Sequence, residues 1–504
     1  MWFEGAVFYE VDAGAFGGDG ERGDLRGVIR RLEHIRAVGA TAVWLQPFYV
    51  SPYRDSGYDV VDHLGVSDRF GTLADVRDLI ARADELDLRI VLDLVVQHTS
   101  VDHPWFRAAR SDPGSPYRDY YVWADEPHPT IAEPVFPTLE DSVWQYDERA
   151  GLYYRHTFLR HEADLDTGNP AVRAEIRRIA THWLELGVSG FRVDAVPYMV
   201  RQAALTDSRD DGFWFLEELY KAASSVRSDV VLMGEVDVPA DQLPRYFGDG
   251  DRLTMVLDFW LNNYLFLALA RCSAEPLVRA LRNQPSPPPG AQYATWLRNH
   301  DELDLERLSA PERAEVMARF APRPDMRAYG RGIRRRLAPM LRDPRRIAMA
   351  HALLFALPGA PVLRYGDEVG LGEDLSAPDR AALRLPMPWT DGSDSVAAQA
   401  LRPGSLLSLV AQLAGARADL GPLREERCEV LPVTDDAVLA VAHHTPGGAL
   451  LMLTNLADRS ADVRLPATYD DADLTDLVAN SNEYDAPAAG RVRLNPYGYR
   501  WLRA

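Results

Sequence analysis

Eight short apolar segments alternate with helical patterns along most of this chain, and no other feature constrains its fold as strongly. The segments span residues 7–13, 42–47, 89–97, 191–196, 231–237, 255–260, 293–299 and 361–367. Between the first two, apolar residues from Leu25 to Val38 recur at helical spacing, and similar patterns run through 72–87, 171–188, 211–228, 345–357 and 404–420. A strand and a helix repeated eight times predict an α/β fold, the (β/α)8 TIM barrel.

Two regions depart from this alternation. Residues 100–168, rich in Pro, Asp, Tyr and Trp, interrupt it after the third strand and predict a domain inserted on the catalytic face of the barrel. Beyond residue 421 the apolar residues follow a period of two, as in "AVLAVAHHT" and "GALLMLTNLA", which predicts a C-terminal antiparallel β-sandwich. We therefore predict a barrel of residues 1–99 and 169–421, an inserted domain of residues 100–168 and a C-terminal β domain of residues 422–504.

Composition narrows the classes of function. The formal net charge of −20 would repel a phosphate backbone or an anionic membrane, so we expect neither nucleic acid nor a membrane as partner. Lys221, in the middle of an amphipathic pattern, is the only lysine, which argues against Schiff-base and P-loop chemistry. Cys272 and Cys428 stand far apart, and the acidic, aromatic start "MWFEGAVFYE" resembles no signal peptide. We expect a cytoplasmic protein.

Charged side chains appear at the ends of the apolar segments. They include Asp93, Asp194, Glu235, Asp301 and Asp367. Such ends converge on one cleft in a barrel, although any single acid could instead be a helix cap or a loop residue. Two carboxylates about 5 Å apart can perform double-displacement glycoside chemistry. Arg192 shares a strand face with Asp194 and would keep it ionised, whereas Glu235 has no basic neighbour in sequence, which suits a raised pKa.

Four ordered motifs carry a resemblance to a known family. "DLVVQHTS", "GFRVDAVPY", "GEVDVP" and "RNHDEL" resemble the signatures of the α-amylase family of retaining glycoside hydrolases and transglycosidases. Longer segments, such as "AVWLQPFYVSPYRDSGYDV", look closest to its trehalose synthases, and the resemblance covers nearly the whole chain. It implies an enzyme that acts on small α-glucosides through a covalent glucosyl-enzyme intermediate, with maltose–trehalose interconversion as the sharper expectation. The alternatives are an α-glucosidase, an α-glucosyl transferase with another acceptor, and a catalytically silent barrel that serves as a scaffold.

The resemblance also implies roles for individual residues. Asp194 becomes the nucleophile, Glu235 the acid/base, and Asp301 the third carboxylate, which grips sugar hydroxyls. His98 and His300 would donate hydrogen bonds to the glucosyl unit.

Three further positions match the sugar-binding pocket of the family. Tyr58 would supply a stacking platform for the glucosyl unit. Asp59 and Arg384 match a pair that closes the far end of this pocket, although Leu385 and Pro388 replace the Thr and Gln of the family motif. A closed end would favour disaccharides and chain ends over internal cleavage.

Departures from the family pattern concern calcium and the acceptor. Asp19 and Asp24 are the obvious carboxylates left in the amino-terminal calcium loop, and Gln97 replaces a calcium-coordinating Asn. Calcium is therefore left open, and the chemistry requires no cofactor.

Residues 236–238, after the acid/base, differ from the trehalose synthase form and put the acceptor choice in question. We expect a small carbohydrate substrate, and a homo-oligomer is left open.

Overall fold

Eight parallel strands close into a barrel in the computed structural model, which describes residues 1–18, 22–127, 134–206, 211–487 and 489–504. Each strand pairs with its sequence neighbours, and β1 pairs with both β2 and β8. The strands are β1 (Phe8–Val11), β2 (Ala42–Leu45), β3 (Arg89–Leu94), β4 (Gly190–Val193), β5 (Val231–Gly234), β6 (Met255–Leu257), β7 (Gln292–Trp296) and β8 (Ala360–Arg364). The predicted TIM barrel is confirmed.

Amphipathic helices surround the strands as the spacing predicts. Several begin at a side-chain cap, such as Asp24, whose Oδ1 accepts from the Gly27 amide at 2.6 Å, and Thr72, which forms a capping box with Asp75. The helices are Ala13–Phe16, Leu25–Ala37, Leu73–Glu85, Pro104–Ser111, Pro170–Leu186, Val196–Thr206, Trp214–Val226, Leu243–Phe247, Phe259–Arg271, Glu275–Asn283, Ala310–Phe320, Leu337–Leu341, Pro344–Ala356, Val396–Ala400 and Leu406–Leu420. No helix of the described residues is long and apolar enough to span a membrane.

The excursion after β3 builds a small sheet beside the barrel. Leu152–Arg155 lies between Trp123–Ala124 and Trp144–Asp147, and both pairings are antiparallel. Glu162–Asp164 pairs with His98–Ser100, which directly follows β3. The excursion is thus anchored beside the motif "QHTS", while its domain limits at residues 100 and 168 stay a prediction.

The C-terminal region is the predicted antiparallel β-sandwich. One sheet contains, in spatial order, Cys428–Val430, Val438–Thr445, Gly448–Asn455, Tyr499–Arg503 and Thr475–Ala479. A second sheet pairs Ala461–Arg464 with Arg491–Leu494. Leucine and valine side chains of both sheets share one buried cluster, which holds them together.

The barrel interior changes from apolar to charged along its axis. Apolar side chains, among them Phe8, Val91, Met233 and Val362, fill the centre. The strands end two to three residues earlier than the apolar segments predict; β4, for example, ends at Val193. Asp194 and Glu235 therefore lie just beyond the ends of β4 and β5, while Asp93 and Arg192 are the second-last residues of β3 and β4.

Candidate active site

Arg192 occupies the centre of the site and contacts three carboxylates. Its side chain is 1% exposed. Nη1 donates to Asp93 Oδ1 at 3.0 Å and to Asp194, and Nη2 lies 2.9 Å from Glu235 Oε1. Glu235 has no basic neighbour in sequence, but it has one in space, because β5 pairs beside β4 with Arg192 opposite Met233, two residues before Glu235.

A strained turn after β4 holds the other oxygen of Glu235. Ala195 has a φ of +53°, in the left-handed region that residues other than glycine seldom adopt. Its amide donates to Glu235 Oε2 at 2.9 Å. Strain of this kind concentrates at functional sites, where the surrounding structure maintains it. Asp194 and Glu235 are therefore placed by the backbone as well as by Arg192.

Burial governs the titration of both carboxylates. It raises the pKa of Asp194, while Arg192 opposes the rise and Asp93 adds to it. Arg192 thus favours the ionised form of Asp194, as expected, but burial outweighs it in the direction of the pKa shift. Burial also raises the pKa of Glu235, against Arg192 and with a contribution from Asp194. The raised pKa expected for Glu235 is confirmed, although its cause is burial and neighbouring acids.

Asp301, the third carboxylate of the site, lies between two cations. His300 Nε2 lies 3.1 Å from Asp301 Oδ2, and Arg380 Nη1 lies 2.9 Å from Asp301 Oδ1. Although burial raises the pKa of Asp301, Arg380 and His300 hold it well below its usual range. Asp301 is thus an ionised carboxylate with one cation close to each oxygen, although Oδ1 accepts no hydrogen bond from the described residues.

His300 connects Asp301 to the floor of the barrel. Its Nδ1 contacts the buried carboxylate of Glu10, and its Nε2 lies 2.7 Å from the Tyr58 hydroxyl. The rings of Tyr58 and His300 lie parallel, with centroids 5.5 Å apart. Burial lowers the pKa of His300, but Asp301 and Glu10 together raise it to about 9. His300 is therefore a cation at neutral pH.

Replacing His300 by Gln should destabilise the fold in a pH-dependent way. The folded pKa of about 9 lies above the unfolded value. The ion pairs of His300 therefore add their full contribution to the free energy of unfolding below about pH 6.5, at most about 3 kcal/mol. This contribution is lost as the pH rises through about 9. Urea unfolding of both proteins between pH 6 and 9.5 measures the difference. His443→Gln is the control above about pH 7, since burial lowers the folded pKa of His443 to about 4 and its imidazole is then mostly neutral in the folded and the unfolded state. A constant difference for His300→Gln would contradict this assignment.

Arg380 is a site residue that the sequence analysis missed. Besides Asp301, it contacts Glu302 through Nε at 2.8 Å, and its guanidinium lies 5.0 Å from the ring centre of Phe136 in the inserted region and 5.7 Å from that of Tyr329. It belongs to a short 3-10 helix, Asp379–Leu383, in the loop after β8. Neither periodicity nor a motif signals a loop residue whose partners come from three distant segments.

His98 reaches the site, but its nitrogens already have protein partners. Nδ1 lies 2.9 Å from Gln97 Oε1, and Nε2 lies 3.1 Å from the Tyr58 carbonyl oxygen. The ring lines the same pocket as Tyr58 and the three carboxylates. The predicted hydrogen bonds from His98 and His300 to a sugar would therefore replace existing contacts.

The structure does not bring Asp59 and Arg384 together. Asp59 is fully buried and accepts hydrogen bonds from the Ser51 hydroxyl at 2.8 Å and the Arg54 amide at 3.2 Å. Arg384 contacts Asp12 and Gln46 instead. Neither residue lines the small pocket, and the predicted closure of its far end by this pair stays a prediction. Asp367, another acid noted at a strand end, is buried against Arg336 and also lies outside the site.

The site consists of a small pocket that opens into a wider cleft. The pocket has a cavity of about 40 Å³ and is lined by Asp55, Tyr58, His98, Phe136, Phe158, Glu162, Asp194, Glu235, Asp301 and Arg380. The cleft has a cavity of about 320 Å³ and shares Glu235, Asp301 and Arg380 with the pocket. Asp237, Asp304, Glu306, Arg307 and Arg331 also line this cleft. Asp237, which follows the acid/base candidate Glu235 in sequence, thus faces the wider cleft.

Two of the candidate calcium positions have protein partners, and whether calcium binds stays a prediction. The amide oxygen of Gln97 faces His98 Nδ1, and Asp24 caps a helix. Asp19 lies outside the described residues. Elsewhere in the described part of the chain, the carboxylates of Asp237, Asp304 and Glu306 approach closely enough for a metal, but Arg307 and Arg331 already pair with them.

A TIM barrel with three carboxylates at its strand ends, two of them joined by a buried arginine, defines an enzyme of the glycoside-processing class. Residues 7–312 match the family model described as the alpha-amylase catalytic domain, and the chain belongs to the α-amylase family. Residues 435–502 match the C-terminal immunoglobulin-like domain of D-apionate lactonase.

Curated relatives and a solved structure agree with this family. The trehalose synthase/amylase TreS of Mycobacterium tuberculosis (strain CDC 1551 / Oshkosh) is 42% identical over 399 residues, which are 77% of this chain and 66% of that protein. The trehalose synthase of Pimelobacter sp. is 37% identical over 80% of this chain and 73% of its own. The alpha-amylase of H. orenii superposes with a TM-score of 0.81 at 24% identity and covers 99% of both chains. The chain thus spans slightly less than two thirds of the mycobacterial relative.

Proposed function

We propose that this protein is a retaining α-glucosyl enzyme that interconverts maltose and trehalose. The observation that carries the proposal is the single guanidinium of Arg192, which contacts both Asp194 and Glu235. Because one planar group contacts both carboxylates, we expect them at the spacing of about 5 Å used in retention and not at the spacing of about 6.5–9.5 Å used in inversion. The names of the curated relatives point to trehalose, and maltose is the partner sugar that the family resemblance implies.

In the first step, Asp194 attacks the anomeric carbon of the non-reducing glucosyl unit. The bond from that carbon to the glycosidic oxygen breaks, and Glu235 transfers its proton to this oxygen. Burial favours the protonated form of Glu235, as a general acid requires. Asp301, kept ionised by Arg380 and His300, stabilises the positive charge that develops on the sugar ring.

In the second step, the freed glucose attacks through its anomeric hydroxyl. Glu235, now a carboxylate, takes the proton of this hydroxyl while the bond from Asp194 to the sugar breaks. The product is trehalose, and the same steps in reverse give maltose. No metal or other cofactor enters this scheme, since protonation and covalent capture supply the catalysis.

The shape of the site supports a terminal glucosyl unit as the transferred group. The pocket that holds the three carboxylates is narrow, whereas the cleft beyond Glu235 is wide and lined by charged residues. The open cleft also favours a second candidate function, α-glucosidase activity, because water can reach the intermediate from the leaving-group side.

Product analysis distinguishes these functions. The purified chain should be incubated separately with maltose, trehalose and sucrose, and the sugars resolved by chromatography. We expect trehalose from maltose, maltose from trehalose, and less glucose than disaccharide product. Glucose as the sole product would favour the hydrolase, and no turnover of any of the three would favour a scaffold.

A further inference from the structure

A second cavity, separate from the catalytic pocket, collects arginines. It has a volume of about 400 Å³, and the charged side chains that line it are Asp12, Arg22, Arg69 and Arg384. Three cations face one carboxylate there, although the chain as a whole carries a net charge of −20. The cavity is therefore locally positive within an acidic protein.

Arg384 is incompletely satisfied by the protein. Its side chain is only 11% exposed, and Nη1 alone has partners, Gln46 at 3.2 Å and Asp12 at 3.4 Å. Nε is buried without a hydrogen-bond partner, and within the described ranges Nη2 donates to no protein acceptor either. A buried guanidinium with free donors is costly unless a ligand supplies acceptors.

The other two arginines leave their charge available. Among the described residues, no carboxylate oxygen lies within 4 Å of the guanidinium of Arg22 or Arg69. The guanidinium of Arg69 lies over the ring of Tyr53, with its central carbon 3.9 Å from the ring centre. Stacking of this kind fixes the plane of the guanidinium and leaves its edges free to donate. Asp12, the only acid among the described residues that line the cavity, accepts from the amides of Gly14 and Ala15 and pairs with Arg384.

We infer that this cavity binds a small oxyanion, either inorganic phosphate or the phosphate of a sugar ester. Guanidinium groups recognise the oxygens of such anions through paired, charge-assisted hydrogen bonds. The cavity exceeds the size of one phosphate, so it also has room for the sugar of an ester. It is distinct from the catalytic pocket, because Tyr53 and Ser56 line it while Asp55 and Tyr58, in the same loop, line the pocket.

Calorimetric titration with inorganic phosphate, and separately with glucose 6-phosphate, tests this site. Wild-type protein should bind at least one of them saturably, and binding should weaken as chloride is added. Equal affinity would identify a site for the free anion, and tighter binding of the ester would identify a site for the sugar phosphate. The double variant Arg22→Ala/Arg69→Ala should weaken binding at least about tenfold.

The control variant is Arg323→Ala, which removes an exposed arginine paired with Asp325. It should bind phosphate as the wild type does. Arg22 and Arg69 are exposed, so their replacement should leave the thermal midpoint unchanged. The absence of saturable binding of either probe to wild type up to well above about 1 mM, or unchanged binding in the double variant, would overturn the inference. Neither result depends on which α-glucoside the enzyme converts.

Discussion

Replacing Asp194 by Asn should lower kcat for α-glucoside turnover by about four to six orders of magnitude, since removing a nucleophile abolishes the covalent route. The substituted side chain is nearly isosteric, and its contact with Arg192 can be kept as a neutral hydrogen bond. The fold should therefore survive. Initial rates with maltose and with an aryl α-glucoside measure the effect.

Two matched variants make the Asp194 result specific. Asp141→Asn changes an exposed acid and should leave the rate unchanged. Glu235→Gln should slow turnover of maltose by about two to four orders of magnitude. The same substitution should slow turnover of an aryl α-glucoside with a good leaving group much less, because that group departs without protonation. A kcat for Asp194→Asn within tenfold of wild type would exclude Asp194 as nucleophile.

Replacing Arg192 by Leu should produce the largest loss of stability. The variant leaves Asp93, Asp194 and Glu235 buried together without the cation that contacts all three. Removing one partner of a buried ion pair typically costs about 3–5 kcal/mol, because the remaining charge stays desolvated. Urea unfolding at pH 7 measures the loss in free energy of unfolding.

A second substitution separates charge from packing in this test. If unpaired charge is the cause, Arg192→Leu/Asp93→Asn should recover part of the lost stability. Arg178→Leu, which removes an arginine exposed beside Glu175, should cost less than about 1 kcal/mol. A loss of under 1 kcal/mol for Arg192→Leu would contradict the central place given to Arg192.

The sequence predicts the barrel and its carboxylates because both follow from strand periodicity. Asp194 and Glu235 come directly after β4 and β5, and adjacent parallel strands must bring their ends together. The same register explains the contact between Arg192 and Glu235, which sequence proximity alone conceals. Residues that are distant in sequence thus come into contact because their strands are neighbours in the barrel.

The loop contacts could not be predicted in this way. Arg380 and Arg384 lie four residues apart in one loop, yet the former contacts Asp301 and the latter Asp12. The resemblance to the family selected Arg384 for the pocket, whereas the structure places Arg380 there. Loop residues have no periodic constraint, and their partners depend on packing across several segments. The pKa of Asp194 escaped prediction for a related reason, since burial is visible only in the fold.

Trapping of the covalent intermediate tests the proposed chemistry most directly. The protein should be incubated with 5-fluoro-α-glucosyl fluoride, digested, and analysed by mass spectrometry. We expect the mass of one fluoroglucosyl group on the peptide that contains Asp194, and no label in Asp194→Asn. A label on another carboxylate, or turnover of maltose without any labelled peptide, would contradict the assignment of Asp194 as the nucleophile of a retaining enzyme.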